Sequence, residues 1–133
     1  MATLLDTDFA ATPQNTATVK VLATGILVES YGSVRIAVNL NFNSQTNIAF
    51  QVNVCETEDG TYVPLYIAGA HASNPAYRTY GKSGHVFEAA EVGVGDQWIT
   101  FILLVSGVKY FQLTGLGSGA VIVNRVVIDG GKA

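Results

Sequence analysis

The side chains that could do chemistry in this chain are few and far apart. The two histidines, His71 and His85, are 14 positions apart, and Cys55 is the single cysteine among 133 residues. A zinc site needs three or four sulfur or imidazole ligands, and no Cys-x-x-Cys or His-x-x-x-His pair is present. The three residues therefore predict neither a metal centre nor a Cys–His nucleophilic pair.

Carboxylates cluster once along the chain, at Glu56, Glu58 and Asp59, with Asp96 far away in sequence. Calcium takes six to eight oxygen ligands from carboxylates at fixed spacing. The order Glu-Thr-Glu-Asp-Gly matches no EF-hand loop. A charged hairpin tip is the favoured interpretation.

Two further patterns resemble catalytic motifs only superficially. Glu88 and Glu91 are three positions apart in a predicted strand, so they point to opposite faces. Glycoside hydrolysis needs two carboxyls across a cleft. The glycine-rich segment 115–119 lacks the Lys-Ser/Thr of a phosphate-binding loop and precedes a strand. We therefore predict that the chain is not an enzyme and binds neither a metal nor a cofactor.

The aromatic residues offer a different chemistry, because flat rings can stack on sugars. The set that could form such a platform is Trp98, Tyr62, Tyr66, Tyr77 and Tyr80. Aromatic side chains more often fill a core or an interface than line a ligand site. Sugar binding is therefore the alternative prediction, and binding to protein is the main one.

The composition favours a covered surface. Charged residues make up 13% of the chain, against about 25% in typical soluble domains. Exposed apolar surface of unusual extent marks interaction sites, so we predict that partners cover part of this protein. A monomer with a surface of Asn, Gln, Thr and Ser is the alternative.

Charge and hydropathy also exclude two classes of partner. The net charge is −3, and the seven basic residues form no stripe, which argues against nucleic-acid binding. The longest apolar run, residues 101–105, is too short to span a membrane. The first ten residues lack the pattern of a signal peptide. We therefore expect neither nucleic acid nor membrane as a partner.

Strand signals follow one another from residue 18 onward. Alternation is clearest over residues 33–42, where five apolar residues face one side and mostly polar ones the other. A second alternating strand, 48–55, ends at the acidic turn 58–60, and Pro64 predicts an edge or bulged return strand. Residues 97–105 are apolar on both faces, which predicts a central strand of the sandwich.

The whole pattern predicts an all-β fold of about eight or nine strands, with no helical stripe. Gly25 is expected to separate strands 18–23 and 26–31. Further strands are predicted at 61–67, 86–92, 108–113 and 120–129. Regularly spaced short strands of this kind predict an antiparallel β-sandwich, jelly-roll-like, as a single domain over residues 17–133.

Residues 1–16 are expected to form an extended N-terminal arm. The segment has no sustained period, and Leu4, Leu5 and Phe9 are embedded among small and polar residues. A frayed terminus is one interpretation. A tether that packs these three residues on a neighbouring subunit is the other.

Residues 68–85 form the longest irregular stretch, and a loop of this length in a compact domain is often functional. Loops on a rigid sandwich commonly carry recognition. The residues predicted to contact a partner there are His71, Tyr77, Arg78 and Tyr80.

Two segments together carry a family resemblance. Residues 52–65 give a strand, an acidic Asp-Gly turn and an aromatic-bearing return strand, and residues 105–113 follow as a later strand. This pairing resembles the small β-sandwich capsid decoration (cement) proteins of tailed bacteriophages. The pattern is also similar to discoidin-type jelly rolls, with Lys109-Tyr110 where Arg-Tyr is usual and Tyr62 where Trp is usual.

The resemblance to decoration proteins implies a structural function. Such a protein would bind the outer capsid surface as a homotrimer at three-fold or quasi-three-fold positions and bridge adjacent major capsid protein subunits. Its location would be the virion, after synthesis in the host cytoplasm. The alternative is a carbohydrate- or receptor-binding β-sandwich module of a phage fibre or of a secreted lectin-like protein.

Overall fold

The computed structural model describes residues 2–65 and 84–131, and these residues form two antiparallel sheets packed face to face. The described residues contain one short helix, α1 (Ala89–Val92), and ten strands: β1 (Ala2–Asp8), β2 (Gln14–Asn15), β3 (Lys20–Leu27), β4 (Ser33–Phe42), β5 (Asn47–Cys55), β6 (Val63–Pro64), β7 (Gly84–Glu88), β8 (Gly95–Leu104), β9 (Tyr110–Gly117) and β10 (Ile122–Gly131). The predicted all-β antiparallel sandwich is confirmed.

The strands are divided between two sheets, which we name sheet A and sheet B. Sheet A has the order β1-β10-β4-β8, and β2 also pairs with β10. Sheet B has the order β3-β9-β5-β6, and β7 also pairs with β5. The chain crosses repeatedly between the sheets, from β3 to β4 to β5 and again from β8 to β9 to β10. This alternation gives the jelly-roll-like connectivity.

Strand β4 lies at the centre of sheet A, between β10 and β8. Its bounds are those that the alternation predicts. Val34, Ile36, Val38, Leu40 and Phe42 are fully buried, and the residues between them face outward. Since side chains alternate across a strand, this apolar half of β4 belongs to the core between the sheets.

Three aromatic rings hold the two sheets together near β8. Phe101 of sheet A lies with its ring centroid 5.9 Å from that of Phe50 and 5.7 Å from that of Phe87, both of sheet B. The Phe50 and Phe87 rings meet edge to face at 6.0 Å. All three centroid distances lie within the range of favourable aromatic contacts, and the Phe50–Phe87 pair has the edge-to-face geometry that such rings prefer.

Gly25 bends a strand instead of ending it. The predicted strands 18–23 and 26–31 overlap a single continuous strand, β3, whose pairing with β9 shifts register between Ala23 and Ile26. Gly25 has a φ of 67°, which glycine adopts without steric cost. A β-bulge at this position explains why the sequence signal resembled a strand break.

The predicted N-terminal arm is an edge of sheet A. Residues 2–8 form β1 and pair with β10, and Leu4, Leu5 and Phe9 pack partly buried against the core. The register shifts between Thr3 and Leu5, so the two adjacent leucines escape the usual alternation. This irregularity explains why no strand period was visible in the sequence.

The end of the predicted arm is equally well anchored. Thr16 is fully buried, and its hydroxyl donates a 2.8 Å hydrogen bond to the carbonyl oxygen of Val121. Its own carbonyl accepts from the N–H of Gly117 at 2.8 Å. Residues 2–16 thus belong to the sandwich and do not project from it.

Strand β8 is an edge strand, which corrects the prediction of a central one. Within the described residues, β8 pairs with β4 alone. Its inward residues Ile99, Phe101 and Leu103 belong to the core, but outward-facing Ile102 and Leu104 are 65% and 77% exposed. Apolar residues on both faces indicated burial on both faces, and here the outer face is open.

Among the described residues, no helix has the length and apolarity that crossing a membrane requires.

Candidate functional site

One line of polar and aromatic side chains crosses the outer face of sheet A. Trp98 on β8 lies opposite Asn39 on β4, Asn39 lies opposite Arg125 on β10, and Arg125 lies opposite Asp8 on β1. Directly opposed residues of antiparallel strands present their side chains on the same face. We call these four residues the Trp98 row.

Trp98 supplies a large exposed apolar surface. It is 54% exposed, although tryptophan usually buries a large apolar area. The next row on the face is built from short side chains, since Thr100 lies opposite Ala37 and Ala37 opposite Val127. Short neighbours leave the floor low beside the indole, so a flat ligand can approach it.

Asn39 is oriented by the backbone beside it. Its Nδ2 donates to the carbonyl oxygen of Gln97 at 3.2 Å, and its Oδ1 accepts no hydrogen bond from the described residues. In the adjacent row, Asn41 Nδ2 donates to Asp96 Oδ1 at 3.0 Å. In both asparagines the amide N–H group is used within the sheet, and the amide oxygen stays at the surface beside Trp98 as an acceptor.

Arg125 is held in a fixed orientation by a two-point ion pair. Its Nε and Nη2 donate to Asp6 Oδ1 and Oδ2 at 2.9 and 2.7 Å. The pairing lowers the pKa of Asp6, chiefly through the hydrogen bond to Arg125, so the carboxylate stays ionised. Nη1 makes no hydrogen bond to the described residues and remains a donor at the surface. A fixed guanidinium loses less freedom when it binds a ligand than a mobile one does.

The outer face of sheet A carries more negative than positive charge. Its strands contribute four carboxylates and two guanidiniums, a net charge of −2: Asp6, Asp8, Asp96, Asp129, Arg35 and Arg125. Arg35 Nη2 donates to Asp129 Oδ2 at 2.6 Å, so both guanidiniums are already paired. Such a face disfavours an anionic ligand.

The sequence-predicted contact residues that the structure describes lie away from the Trp98 row. Leu4, Leu5 and Phe9 pack against the core of their own chain, and partner binding through them stays a prediction. The other four lie outside the described residues: His71, Tyr77, Arg78 and Tyr80.

The two carboxylates considered for glycoside hydrolysis lie on different elements. Glu88 ends β7 and Glu91 lies in α1, and the described residues hold no group of three His, Cys, Asp or Glu side chains fit for a metal. A Cβ at Gly117 would lie 2.7 Å from the carbonyl oxygen of Gly119, so the glycine-rich segment is tightly packed. Cys55 is half-buried, with Sγ 3.7 Å from Thr57 Oγ1.

Of these four residues, the sequence indicates a ligand-binding role for Trp98 alone. In the sequence pattern Asn39 is a polar residue of a half-buried strand, Arg125 is one of the scattered cations, and Asp8 lies within the predicted arm. Their meeting depends on the register of three strand pairs, which no local pattern in the sequence reports.

No protein-family model matches the chain, and no curated protein matches it in sequence. Solved structures do match. The chain is similar to "BiXyn10A CBM1 APO", with a TM-score of 0.55 and 10% identity, over 96% of this chain and 98% of that chain.

Two further similarities are lower in TM-score. One is to a carbohydrate binding module (CBM6cm-2) from Cellvibrio mixtus lichenase 5A in complex with cellotriose, with 13% identity and a TM-score of 0.42, over 93% of this chain and 69% of that chain. The other is to an exo-beta-1,3-galactanase from Phanerochaete chrysosporium with galactose, with 12% identity and a TM-score of 0.46, over 97% of this chain and 30% of that chain.

The first of these similarities bears on the fold, because it covers nearly the whole of both chains and shows a shared β-sandwich. None of the three structures is a phage capsid protein. The capsid decoration function, the homotrimer, the major capsid protein as partner and the virion location therefore stay predictions.

Proposed function

We propose that this protein is a non-catalytic carbohydrate-binding module that holds a neutral glycan on the outer face of sheet A. The observation that carries the proposal is the Trp98 row, in which an exposed indole stands in line with an amide, a fixed guanidinium and a carboxylate. This function was the alternative prediction from the sequence, and the Trp98 row is the surface on which it would act.

The chemistry of sugars fits this arrangement. A pyranose ring has an apolar face of C–H groups and a rim of hydroxyls that both donate and accept hydrogen bonds. The indole of Trp98 offers a flat apolar surface for the C–H face of the sugar. For its hydroxyls, Asn39 Oδ1 and the carboxylate of Asp8 offer acceptors, and Arg125 Nη1 offers a donor. Small-ligand sites commonly combine apolar surface with a few placed polar groups.

The fold supports the same proposal independently of the residues. The structure that matches at a TM-score of 0.55 is named as a CBM, that is, a carbohydrate-binding module. The likeness extends over 96% of this chain, so the whole sandwich and not a fragment is shared. At 10% identity it carries no residue across, and the binding face is argued from the Trp98 row alone.

The electrostatics narrow the class of glycan. With a net charge of −2 and both guanidiniums already paired to carboxylates, the face repels uronate, sulfate and sialate groups. Neutral glycans bear no such penalty.

The test uses the fact that Trp98 is the only tryptophan. Neutral glucan, xylan and galactan oligosaccharides, with oligogalacturonate as the anionic comparison, are titrated by calorimetry and by tryptophan fluorescence. We expect one or more neutral oligosaccharides to bind and to change the emission of Trp98, because the indole is the stacking surface. Trp98→Ala is expected to abolish measurable binding.

The matched control is Leu116→Ala. Leu116 is 43% exposed on the outer face of sheet B, so it tests loss of exposed apolar surface away from the site. We expect this variant to bind as the wild type does. Wild-type protein that binds no neutral oligosaccharide at millimolar concentration, or a Trp98→Ala variant that binds unchanged, would overturn the proposal.

A further inference from the structure

We propose that β8 pairs antiparallel with β8 of a second copy of this chain, so that two A sheets join into one continuous sheet across a two-fold axis. The proposal stands on the geometry of the β8 edge and does not depend on glycan binding. It differs from the predicted homotrimer, because strand pairing of this kind closes with two copies.

The backbone groups at the open edge can be assigned from one hydrogen bond. The N–H of Val105 donates to the carbonyl oxygen of Gly32 at 3.0 Å, and the register places Ser33 opposite Leu104. Antiparallel strands direct the N–H and C=O of alternate residues to opposite sides. Odd-numbered residues of β8 therefore bond to β4, and even-numbered residues from 96 to 104 direct both groups to the opposite edge, on which no other described strand pairs.

The edge of β8 lacks the protection that other edge strands of this sandwich have. The pairing of β1 with β10 and that of β3 with β9 contain register shifts, β7 has five residues, and β6 contains Pro64. Strand β8 has ten residues, pairs with β4 without a register shift and contains no proline and one charge, Asp96. A long, regular and nearly uncharged edge is a template for another strand.

The same edge exposes apolar side chains. Trp98, Ile102 and Leu104 face outward along β8 and together present roughly 400 Å² per copy, taking about 200 Å² for a whole large side chain. In the pairing these side chains stand beside those of the partner strand and cover part of each other's flanks, while their outer faces stay open. The contact is therefore smaller than a standard interface of about 1,200 Å², and the backbone hydrogen bonds of the β8 edge add to it.

The strand is self-complementary, which argues for a second copy as the occupant. When Thr100 lies opposite the partner's Thr100 on the axis, Trp98 lies opposite the partner's Ile102, and every residue from 96 to 104 has a counterpart. Aromatic residues beside β-branched ones, and threonine beside threonine, are favourable cross-strand pairs. A shift by two residues in either direction would lose the threonine pair and would leave either Asp96 or Leu104 without a counterpart in the partner strand, so we assign the register centred on Thr100.

Sedimentation velocity and equilibrium of the full chain, from about 5 to 300 µM, test the pairing over the range expected of a small interface. We expect a monomer–dimer equilibrium in the wild type. Ile102→Lys places a charge within the apolar contact, and Thr100→Pro removes an N–H that points to the open edge while the bonds to β4 remain. Each variant is expected to weaken dimerisation at least tenfold.

The matched control is Val86→Lys, because Val86 is 63% exposed and Ile102 is 65% exposed, but Val86 lies on sheet B. It is expected to dimerise as the wild type does, which separates the β8 edge from a general effect of added charge. If Thr100→Pro does not fold, as judged by circular dichroism, the dimerisation of Ile102→Lys alone tests the proposal. A wild type that is monomeric or trimeric throughout, or an Ile102→Lys variant that dimerises normally, overturns the proposal.

Discussion

Deletion of residues 2–9 is expected to destabilise this protein, because these residues form an edge of sheet A and do not extend as a free arm. The segment supplies the whole of β1 and the side chains of Leu4, Leu5 and Phe9 to the margin of the core. Its removal also uncovers the backbone of β10 on one side. A tether would instead leave the stability of the sandwich unchanged when it is cut away.

The size of the effect follows from the burial. Full burial of a large apolar side chain contributes about 1.5–3 kcal/mol. The three side chains are partly buried, so each contributes about 1 kcal/mol, or about 3 kcal/mol together. The backbone hydrogen bonds of β1 add to this, but the entropy lost in ordering the strand opposes them at a similar size. We therefore expect the free energy of unfolding to fall by about 2–4 kcal/mol.

Urea unfolding followed by far-ultraviolet circular dichroism measures the change. Two point variants in the full-length chain give the scale for a single side chain, one at a partly buried position and one at an exposed position. Leu5→Ala, next to Ile128 across the strand pair, is expected to cost about 1 kcal/mol. Leu104→Ala, at a side chain 77% exposed, is expected to cost under about 0.5 kcal/mol in the monomer. Unfolding of the truncated chain at the wild-type urea midpoint would refute the assignment of β1 as a structural strand.

Two other predictions concern the core and the ion pair of the site. Phe50→Ala removes the ring that contacts both Phe87 and Phe101, and it is expected to lower the free energy of unfolding by about 3–5 kcal/mol in the same urea assay, whereas Phe50→Leu should cost clearly less. Because Arg125 lowers the pKa of Asp6 below its ordinary value of 3.8, the pair stabilises the fold above that pH and the contribution is lost as the pH falls through the lowered pKa. Asp6→Asn should therefore be less stable than the wild type at neutral pH, with the difference vanishing in strong acid, and a difference that is constant with pH would contradict the pairing.

The sequence predicted the strands better than it predicted their neighbours. Alternation identified β4 to the residue, because a half-buried strand imposes its period on the side chains directly. The same reasoning placed β8 at the centre of a sheet. Periodicity reports which faces carry apolar residues, and it does not report whether a second strand lies beyond the edge. The outward Ile102 and Leu104 were therefore interpreted as buried when they are exposed.

The candidate site was beyond sequence reasoning for a related reason. Trp98 and Asn39 are brought opposite by the β4–β8 register, and Arg125 and Asp8 by the pairings of β10 and β1. The bulge between Val123 and Arg125 shifts the facing of β10, so even a correct strand order would have placed the guanidinium on the wrong face. A prediction of the row would have required every register and this bulge at once.

Trp98 belongs to both proposals, and the geometry makes them compatible. In the two-fold pairing, the side chains of β8 remain on the outer face of the joined sheet, so the partner strand lies beside the indole and does not cover its face. The partner's Trp98 lies opposite Ile102, which is four positions along β8 from Trp98. The two indoles of the dimer are therefore about 14 Å apart on one surface. A glycan chain long enough to span that distance would contact both, and the second contact would occur at high effective concentration. The dimer would then strengthen binding to a polymer while leaving the affinity for a short oligosaccharide unchanged. Ile102→Lys separates the two contributions, because it removes the partner and retains the Trp98 row of the single copy.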